Sequence, residues 1–298
     1  MTYKRSVSAS GRSAAPVPAL QLATGAQIPQ LGFGTYLVPD DTVEDILAQA
    51  LDVGYRHIDT AQMYKNEAGV GRALRNALDD GIERSELFVT TKLNNQNHGR
   101  DDALRSFDQS LENLGLDYVD LFLIHWPLPG MYDGRYDLTW QTMIEIFESG
   151  RAKAIGVSNF EPEHLRRIVD ATGFVPHVNQ VQAHPYFPNN ESRDASRELG
   201  AVVEAWSPLG RGDVLGEPSV QEAAQRLGRS PSQIVLRWAV ERGDVVFPKA
   251  SSSEHMSDNF DIFDFKLDED ATRALNSLDR GEEGRRGTKP SEANFIVD

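Results

Sequence analysis

The chain has 298 residues, of which 40% are hydrophobic and 25% are charged, and its formal net charge at pH 7 is −15. This composition is typical of a globular protein, and the acidic excess opposes binding to nucleic acid or to an anionic membrane. The absence of cysteine excludes disulfides, thiolate nucleophiles and cysteine metal sites. No apolar run approaches the roughly 18 residues of a membrane span, so we expect a cytoplasmic protein without a nucleic-acid or membrane partner.

The first residues of the chain, 1–18, contain early basic side chains but lack the continuous apolar run of a secretory signal. We therefore expect a disordered tail there. The next stretch, ALQLATGAQIPQL, predicts two short strands that turn at Thr24 and Gly25. Because no linker-like composition interrupts the rest of the chain, residues 19–298 are predicted to form one domain that includes the C-terminal loop.

A regular alternation of strands and helices comes after this hairpin. Eight β-rich runs begin near Leu31, Tyr55, Leu87, Val119, Ala154, Val178, Val202 and Val245. Between them lie stretches such as TVEDILAQALDVG and RDDALRSFDQSLENLG, in which apolar residues recur three and four apart and a glycine ends the pattern. Strands that alternate with helices favour parallel pairing through right-handed crossovers. Eight such units in about 270 residues predict an α/β fold of the (β/α)₈ TIM barrel type.

A doubly wound dinucleotide-binding fold is disfavoured by the glycine pattern. That fold is expected to carry GxGxxG in its first strand-to-helix turn. The nearest candidates, GFGTYL and GVGRAL, each lack the third glycine. This result does not exclude a nicotinamide cofactor bound to a barrel.

Polar and aromatic side chains stand at the carboxyl ends of the predicted strands, the face where barrel enzymes place their active sites. They are Asp59, Lys92, His125, Trp126, Ser158, Asn159, Gln180, Trp206, Ser207 and Lys249. Each has a structural explanation by itself: Asp59 caps a helix, Lys92 is solvated, and His125 is a core histidine. Because all of these explanations would have to hold independently, we interpret the residues as one shared active site.

Four separated motifs, in the same order, carry a resemblance to the aldo-keto reductases. DTAQMYKNEAGVG is similar to the DTAxxYxNExxxG signature, LFLIHWP to the LxLxHWP segment, GVSNF to the asparagine-bearing strand, and FPKASSSEHMSDNF to the cofactor-phosphate loop. The resemblance runs from Leu20 to Asp279. VNQVQAHPY and VVEAWSPLG most resemble the small bacterial reductases of the 2,5-diketo-D-gluconate reductase type. The resemblance implies a monomeric, NAD(P)H-dependent reductase of small-molecule carbonyl substrates with the active site at the barrel mouth.

The resemblance implies four catalytic residues. Tyr64 is the general acid, Lys92 its cationic neighbour, Asp59 the counter-ion of the lysine, and His125 the group that orients the carbonyl. A free phenol has a pKa near ~10, too high for ready proton exchange at neutral pH. An ammonium about 4 Å away, at an effective dielectric of about 20, favours the phenolate by roughly 4 kcal/mol, or about three pKa units. We therefore expect the pKa of Tyr64 to lie near neutrality.

The resemblance also implies which residues hold the cofactor. Ser158, Asn159 and Gln180 are expected on the nicotinamide carboxamide, and Trp206 is expected to stack on the nicotinamide ring. The residues expected on the ribose, pyrophosphate and adenosine phosphate are Gly34, Thr35, Tyr36, Ser207, Leu209, Lys249, Ser251, His255 and Asn259.

The phosphate loop departs from the family pattern at two positions. The family has a serine directly after the lysine and an arginine six residues after it, whereas Ala250 and His255 occupy those places here. A guanidinium binds phosphate through a bidentate fork, while a histidine is mostly neutral near pH 7 and binds phosphate less strongly. We therefore expect NADPH to be used, with unusual tolerance of NADH.

Substrate choice is expected to depend on the loops around the barrel mouth. The candidate pocket walls are Phe33, Trp126, Met131, Tyr132 and Trp140. Arg285, Arg286 and Lys289 in the C-terminal tail could attract an acidic substrate, although a charged tail is also explained by simple solvation.

Three other functions are compatible with the sequence. A dehydrogenase that works in the oxidative direction would share every one of these residues. A cofactor-sensing regulatory barrel would bind the cofactor with little turnover. A metal-dependent barrel hydrolase would need a metal site, but the seven histidines lack the HExxH spacing, so we expect no metal.

Overall fold

A computed structural model of the protein describes residues 15–296. Residues 1–14 of the predicted tail lie outside the described residues. Residues 15–18 are described, and the last two contact the folded body: Val17 packs partly buried against the hydrophobic core, and the carbonyl oxygen of Pro18 accepts a hydrogen bond from the backbone N–H of Gln30 at 2.8 Å. For Val17 and Pro18 the predicted boundary of the tail is wrong.

The predicted hairpin is formed by β1 (Ala19–Gln21) and β2 (Gln27–Pro29), which pair in antiparallel register. Leu22 and Ile28 of the hairpin are buried against Phe88 and other apolar side chains of the barrel strands. The hairpin therefore covers the amino-terminal end of the barrel with apolar surface.

Eight parallel strands form the barrel, and the eight predicted β-rich runs coincide with them. They are β3 (Phe33–Gly34), β4 (His57–Asp59), β5 (Phe88–Leu93), β6 (Leu121–Ile124), β7 (Ile155–Ser158), β8 (Val178–Gln182), β9 (Val202–Trp206) and β10 (Val245–Val246). Each strand pairs with the next in chain order, and a parallel bridge between Leu31 and Val246 joins the last strand to the first. The (β/α)₈ barrel prediction is confirmed.

Ten helices surround the strands in the described part of the chain. They are α1 (Asp40–Val53), α2 (Glu67–Asp79), α3 (Arg100–Leu114), α4 (Tyr136–Glu148), α5 (Pro162–Thr172), α6 (Asn190–Glu198), α7 (Pro218–Leu227), α8 (Pro231–Glu241), α9 (Ser253–Phe260) and α10 (Glu269–Asn276). Helix α5 shows why they form: Pro162 presets the first turn, Leu165 and Ile168 face the barrel, and Gly173 at φ 70° ends the helix. Among residues 15–296, no helix combines the length and apolarity that crossing a membrane requires.

Side chains alternate between the two faces of each strand, and this creates two apolar layers, one inside the barrel and one between the strands and the helices. One set, including Leu121, Leu123 and Val178, fills the barrel interior above the hairpin. The residues between them pack outward against the helices. Because alternate residues share a face, the strand positions that follow the apolar interior set toward the carboxyl ends also point inward. These inward positions carry the polar residues of the site.

Candidate active site

Lys92 is fully buried near the end of β5, and its ammonium group is the centre of the candidate site. Nζ donates hydrogen bonds to the two carboxylate oxygens of Asp59, at 2.7 and 2.8 Å, and to the carbonyl oxygen of Thr60 at 3.0 Å. A further contact of 3.3 Å joins Nζ to the hydroxyl oxygen of Tyr64. The rings of Tyr64 and His125 meet edge to face with centroids 5.7 Å apart. The structure thus brings the four predicted catalytic residues together.

The charge of Lys92 is maintained by its neighbours. Burial by itself favours the neutral amine, but the Asp59 carboxylate and the Tyr64 hydroxyl more than offset this, so the pKa of Lys92 is raised above its ordinary value. Lys92 is therefore an ammonium ion throughout the physiological pH range.

A short turn after β4 places Tyr64 over the lysine. Residues Gln62–Tyr64 form one turn of 3₁₀ helix, and the chain reverses at Lys65, which has a left-handed φ of 55°. The buried side chain of Asn66 fixes this turn, because its Nδ2 donates to the carbonyl oxygens of Thr35 and Val38 at 2.9 and 2.8 Å. The spacing of the DTAQMYKNE motif thus has a local structural cause, since its asparagine anchors the turn that carries its tyrosine.

The pKa of Tyr64 differs from the sequence-based expectation. Burial raises the pKa of Tyr64 to about 12, and the positive charge of Lys92 lowers it only in part. The expectation of a value near neutrality was wrong because it counted the attraction of the ammonium for a phenolate but not the cost of removing that phenolate from water. Tyr64 is therefore a protonated phenol at neutral pH.

His125 is a neutral imidazole in this environment. Burial, and secondarily the charge of Lys92, holds the pKa of His125 well below its usual range. Its Nδ1 is buried and has no hydrogen-bond partner among the described residues, while its backbone carbonyl oxygen accepts a hydrogen bond from Nδ2 of Asn159 at 2.9 Å. This leaves Nε2 as the ring nitrogen that can contact a substrate.

The residues predicted to hold a nicotinamide form one hydrogen-bonded group beside the lysine. Nε1 of Trp206 donates to Oδ1 of Asn159 at 2.9 Å, which fixes the half-buried indole ring. Nδ2 of Asn159 also donates to Oγ of Ser158 at 3.1 Å. Nε2 of Gln180 donates to Oδ2 of Asp59 at 2.8 Å.

This group keeps hydrogen-bonding capacity that suits a carboxamide. No described residue donates a hydrogen bond to Oε1 of Gln180, and Oδ1 of Asn159 accepts only one, from Trp206. Since a carboxamide NH₂ needs acceptors, the arrangement fits a nicotinamide. Both amide hydrogens of Asn159 are already used within the protein, so Asn159 can serve such a ligand only as an acceptor.

The remaining predicted cofactor residues lie at or after the carboxyl ends of β3, β9 and β10 in the chain. Gly34 ends β3 beside Asp59, Thr35 is buried, and Tyr36 is 54% exposed with its ring 5.1 Å from that of Tyr64. Ser207 and Leu209 follow β9 and are partly buried. Lys249, Ser251 and His255 are exposed around the start of α9, whereas Asn259 is buried within it.

The loop of Lys249 is joined to the loop after β3. Nζ of Lys249 donates a hydrogen bond to the carbonyl oxygen of Leu37 at 3.1 Å. At the start of α9, Oγ of Ser252 accepts a hydrogen bond from the backbone N–H of His255 at 3.3 Å. A lysine beside a helix amino terminus is a favourable environment for a phosphate group.

Three of the five predicted pocket walls lie at the mouth. Trp126 packs edge to face on Phe295 of the C-terminal segment, with centroids 5.3 Å apart. Oη of Tyr132 donates to the carbonyl oxygen of Asn95 at 2.8 Å. Met131, next to it, is partly exposed. Loops that are distant in sequence thus form one wall.

The prediction is wrong for the other two residues. Phe33 is fully buried in the layer between strands and helices, where it packs edge to face on Tyr55. Trp140 is fully buried in α4, and its Nε1 donates to the carbonyl oxygen of Phe174. Both side chains point away from the barrel interior, because their positions in β3 and α4 face the apolar layer between the strands and the helices.

Charges of the C-terminal tail are engaged within the protein. Arg285 forms ion pairs with Glu282 and Glu161, at 2.7 and 3.5 Å, and Arg286 pairs with Asp213 at 2.5 Å. These pairs favour the structural explanation of the two arginines over recruitment of an acidic substrate.

Three residues that shape the site were not predicted from the sequence. Asn66 fixes the turn of Tyr64, Phe295 packs on Trp126, and Glu204 is fully buried in β9 beside Gln180. The alternation along VVEAW could have revealed Glu204, because it shares the inward face with Trp206. Nothing in the tail sequence indicates which wall Phe295 contacts.

The fold and the buried ion pair at the carboxyl ends of the strands are those of a barrel enzyme. The sequence pattern of the Aldo/keto reductase family matches residues 30–280. The chain therefore belongs to the aldo-keto reductase family and is an oxidoreductase.

Individual relatives agree with this assignment. The chain is 42% identical over 278 residues to an aldo-keto reductase of Mycolicibacterium smegmatis, covering 93% of this chain and 98% of the relative. It is 41% identical over 275 residues to methylglyoxal reductase DkgA of Escherichia coli K12, covering 92% and 97%. The crystal structure of apo Gox0644 superposes with a TM-score of 0.89 at 40% identity, covering 94% of this chain and all of that one. A mutant of Gox0644 in complex with NADPH superposes equally well.

We expect Asp59→Asn to destabilise the protein by about 3–5 kcal/mol, because it leaves the Lys92 ammonium buried without a counter-charge. The double variant Asp59→Asn with Lys92→Met removes both charges and should recover most of this loss. Urea unfolding at neutral pH measures both effects. Equal unfolding midpoints for wild type and Asp59→Asn would contradict the assignment of Asp59 as the necessary counter-ion.

Proposed function

We propose that this protein reduces aldehydes and ketones to alcohols, with NADPH as the hydride donor. The observation that carries the proposal is the hydroxyl of Tyr64 held 3.3 Å from an ammonium, beside a neutral imidazole. NADPH, when bound, supplies a hydride to the carbonyl carbon. The similarity to methylglyoxal reductase DkgA and to the NADPH complex of the Gox0644 mutant supports the reaction class and the cofactor.

Tyr64 acts as the general acid in this proposal. It keeps its proton in the free enzyme because burial raises its pKa to about 12. As the carbonyl oxygen gains negative charge it becomes more basic than a phenolate, so the proton moves from Oη of Tyr64 to that oxygen. Lys92 then stabilises the phenolate that remains. A protonated phenol at neutral pH favours the reductive direction, because oxidation of an alcohol would need the phenolate as a base.

His125 orients the substrate. Its imidazole is neutral, so Nε2 can carry a hydrogen and donate it to the carbonyl oxygen without becoming a competing acid. Because its ring adjoins that of Tyr64, both groups can reach the same oxygen. Tyr64 and His125 thereby define where the carbonyl sits.

The substrates are small carbonyl compounds, among which we place α-dicarbonyl compounds first, followed by keto acids and sugar-derived ketones. Aromatic and apolar side chains around the mouth, Tyr36, Trp126, Met131 and Tyr132, supply the walls. We propose that the protein works as a cytoplasmic monomer. The complete group of Asp59, Tyr64, Lys92 and His125 argues for turnover rather than for cofactor sensing alone.

We expect Tyr64→Phe to lower kcat by about 10²- to 10⁴-fold, because it removes the proton donor and keeps the ring. Binding of NADPH, followed by fluorescence, should change by less than about twofold. Tyr118→Phe is the matched control: Tyr118 precedes β6 at the opposite end of the barrel and stacks on Arg84.

Wild-type turnover in a normally folded Tyr64→Phe variant would contradict this role. A wild-type protein that binds NADPH tightly but turns over none of the aldehydes, α-dicarbonyl compounds and keto acids tested would instead favour a cofactor sensor.

We expect kcat/KM to favour NADPH over NADH by less than roughly a thousandfold, since His255 stands where a phosphate-binding arginine is typical. His255→Arg adds a bidentate donor and should raise the preference by roughly tenfold. His255→Gln, which stays neutral, should leave the ratio near that of wild type. Steady-state kinetics with both cofactors measure these ratios. An unchanged ratio in His255→Arg would show that this position does not face the phosphate.

A further inference from the structure

Glu204 is a carboxylic acid in the barrel interior that the proposed mechanism does not use. It lies in β9, its side chain is fully buried, and its Oε2 accepts a hydrogen bond from Nε2 of Gln180 at 2.8 Å. The same Nε2 donates to Oδ2 of Asp59, also at 2.8 Å. Oε1 of Glu204 has no hydrogen-bond partner among the described residues and lies 3.9 Å from Nε2 of His57.

We propose that Glu204, as a neutral acid, is a positioning residue that locks the amide of Gln180 with its oxygen free for the carboxamide of the cofactor. This inference rests on the proposed function, because it assumes that Gln180 meets the nicotinamide. Glu204 itself touches neither substrate nor cofactor. It acts through Gln180.

The hydrogen bonds fix the orientation of the Gln180 amide. Its NH₂ group has two hydrogens, and two carboxyl groups, those of Asp59 and Glu204, accept them. A flipped amide would place its oxygen against the ionised Asp59 carboxylate, which cannot donate, and would lose that hydrogen bond. Oε1, to which no described residue donates, is therefore left for a ligand.

The charges and burial around Glu204 favour its neutral form. Asp59 and Gln180 face it through the shared amide, and Lys92 is the nearby cation, but that ammonium already lies 2.7 and 2.8 Å from the two oxygens of Asp59. From β4, His57 is neutral, because burial lowers its pKa to about 3. From β10, the register partner of Glu204 is the apolar Val245.

Protonation of Glu204 avoids a second negative charge in this environment. Burial first, and the negative charge of Asp59 second, raise the pKa of Glu204 to about 8. Because Oε2 accepts from Gln180, the proton belongs on Oε1, the oxygen nearest His57. Ionisation at higher pH would add a second negative charge beside Asp59 and hold the proton more tightly on Tyr64.

The first experiment compares Glu204→Leu, which removes the acceptor, with Glu204→Gln, which keeps a neutral one. Binding of two ligands to each apo protein is measured: NADPH, and 2′-phospho-ADP-ribose, which lacks the nicotinamide. We expect Glu204→Leu to bind NADPH about 5- to 10-fold more weakly and 2′-phospho-ADP-ribose unchanged, because one hydrogen bond of about 1 kcal/mol no longer orients Gln180. Glu204→Gln should bind both ligands as wild type does.

Equal weakening for both ligands in Glu204→Leu, or NADPH affinity like that of wild type, would overturn the proposal. The proposal would also be overturned if Glu204→Gln lost NADPH affinity selectively, as Glu204→Leu is expected to do. These binding measurements need no turnover. They separate failure of this inference from failure of the proposed function, which would appear as a wild-type protein that reduces none of the carbonyl compounds tested.

The second experiment measures the melting temperatures of wild type and Glu204→Gln as a function of pH. It does not use Glu204→Leu, so it remains informative if that variant does not fold. Below the unfolded pKa of 4.5, the acid is protonated in both states and contributes no slope. Between 4.5 and about 8 only the unfolded state has released the proton, so wild type should lose stability relative to Glu204→Gln as pH rises, with a plateau above about 8. If the difference in melting temperature between wild type and Glu204→Gln stayed constant from pH 5 to 8, Glu204 would not be a neutral acid in the folded protein, and the proposal would be overturned.

Discussion

The buried ion pair between Lys92 and Asp59 is the interaction on which the rest of the site depends. An ammonium removed from water is unfavourable unless an anion and further acceptors surround it. Asp59 supplies two oxygens and the Thr60 carbonyl a third, which leaves the lysine charged beside the Tyr64 hydroxyl. The strand ends bring β4 and β5 into register, so the barrel itself sets the distance between the two charges.

Around this pair the barrel interior is kept otherwise uncharged. Burial lowers the pKa of His57 and His125, and burial together with Asp59 raises that of Glu204, so all three are neutral near pH 7. The Lys92–Asp59 pair therefore supplies the charges that act on Tyr64: the ammonium favours the phenolate, and the carboxylate behind it opposes this effect in part. In a medium of low effective dielectric the effect of the ammonium on the phenol is strengthened.

Much of this arrangement can be predicted from the sequence, and the exceptions have physical causes. Alternating strands and helices predict the barrel, and the barrel predicts that Asp59, Lys92 and Gln180 converge. The burial of Phe33 could not be predicted, because a two-residue strand is too short to show which face is inward. The pKa of Tyr64 could not be predicted either, since the sign of its shift depends on the depth of burial against a charge at 3.3 Å.

The single-turnover rate of carbonyl reduction in the double variant Asp59→Asn with Lys92→Met tests most directly whether the buried ammonium drives proton transfer from Tyr64. Removing both charges leaves no buried unpaired ion, so a loss of rate reports the missing ammonium rather than an uncompensated charge. We expect a folded protein that binds NADPH and reduces a bound carbonyl roughly 10²- to 10³-fold more slowly than wild type. A folded double variant with the wild-type rate would contradict this role of the ammonium.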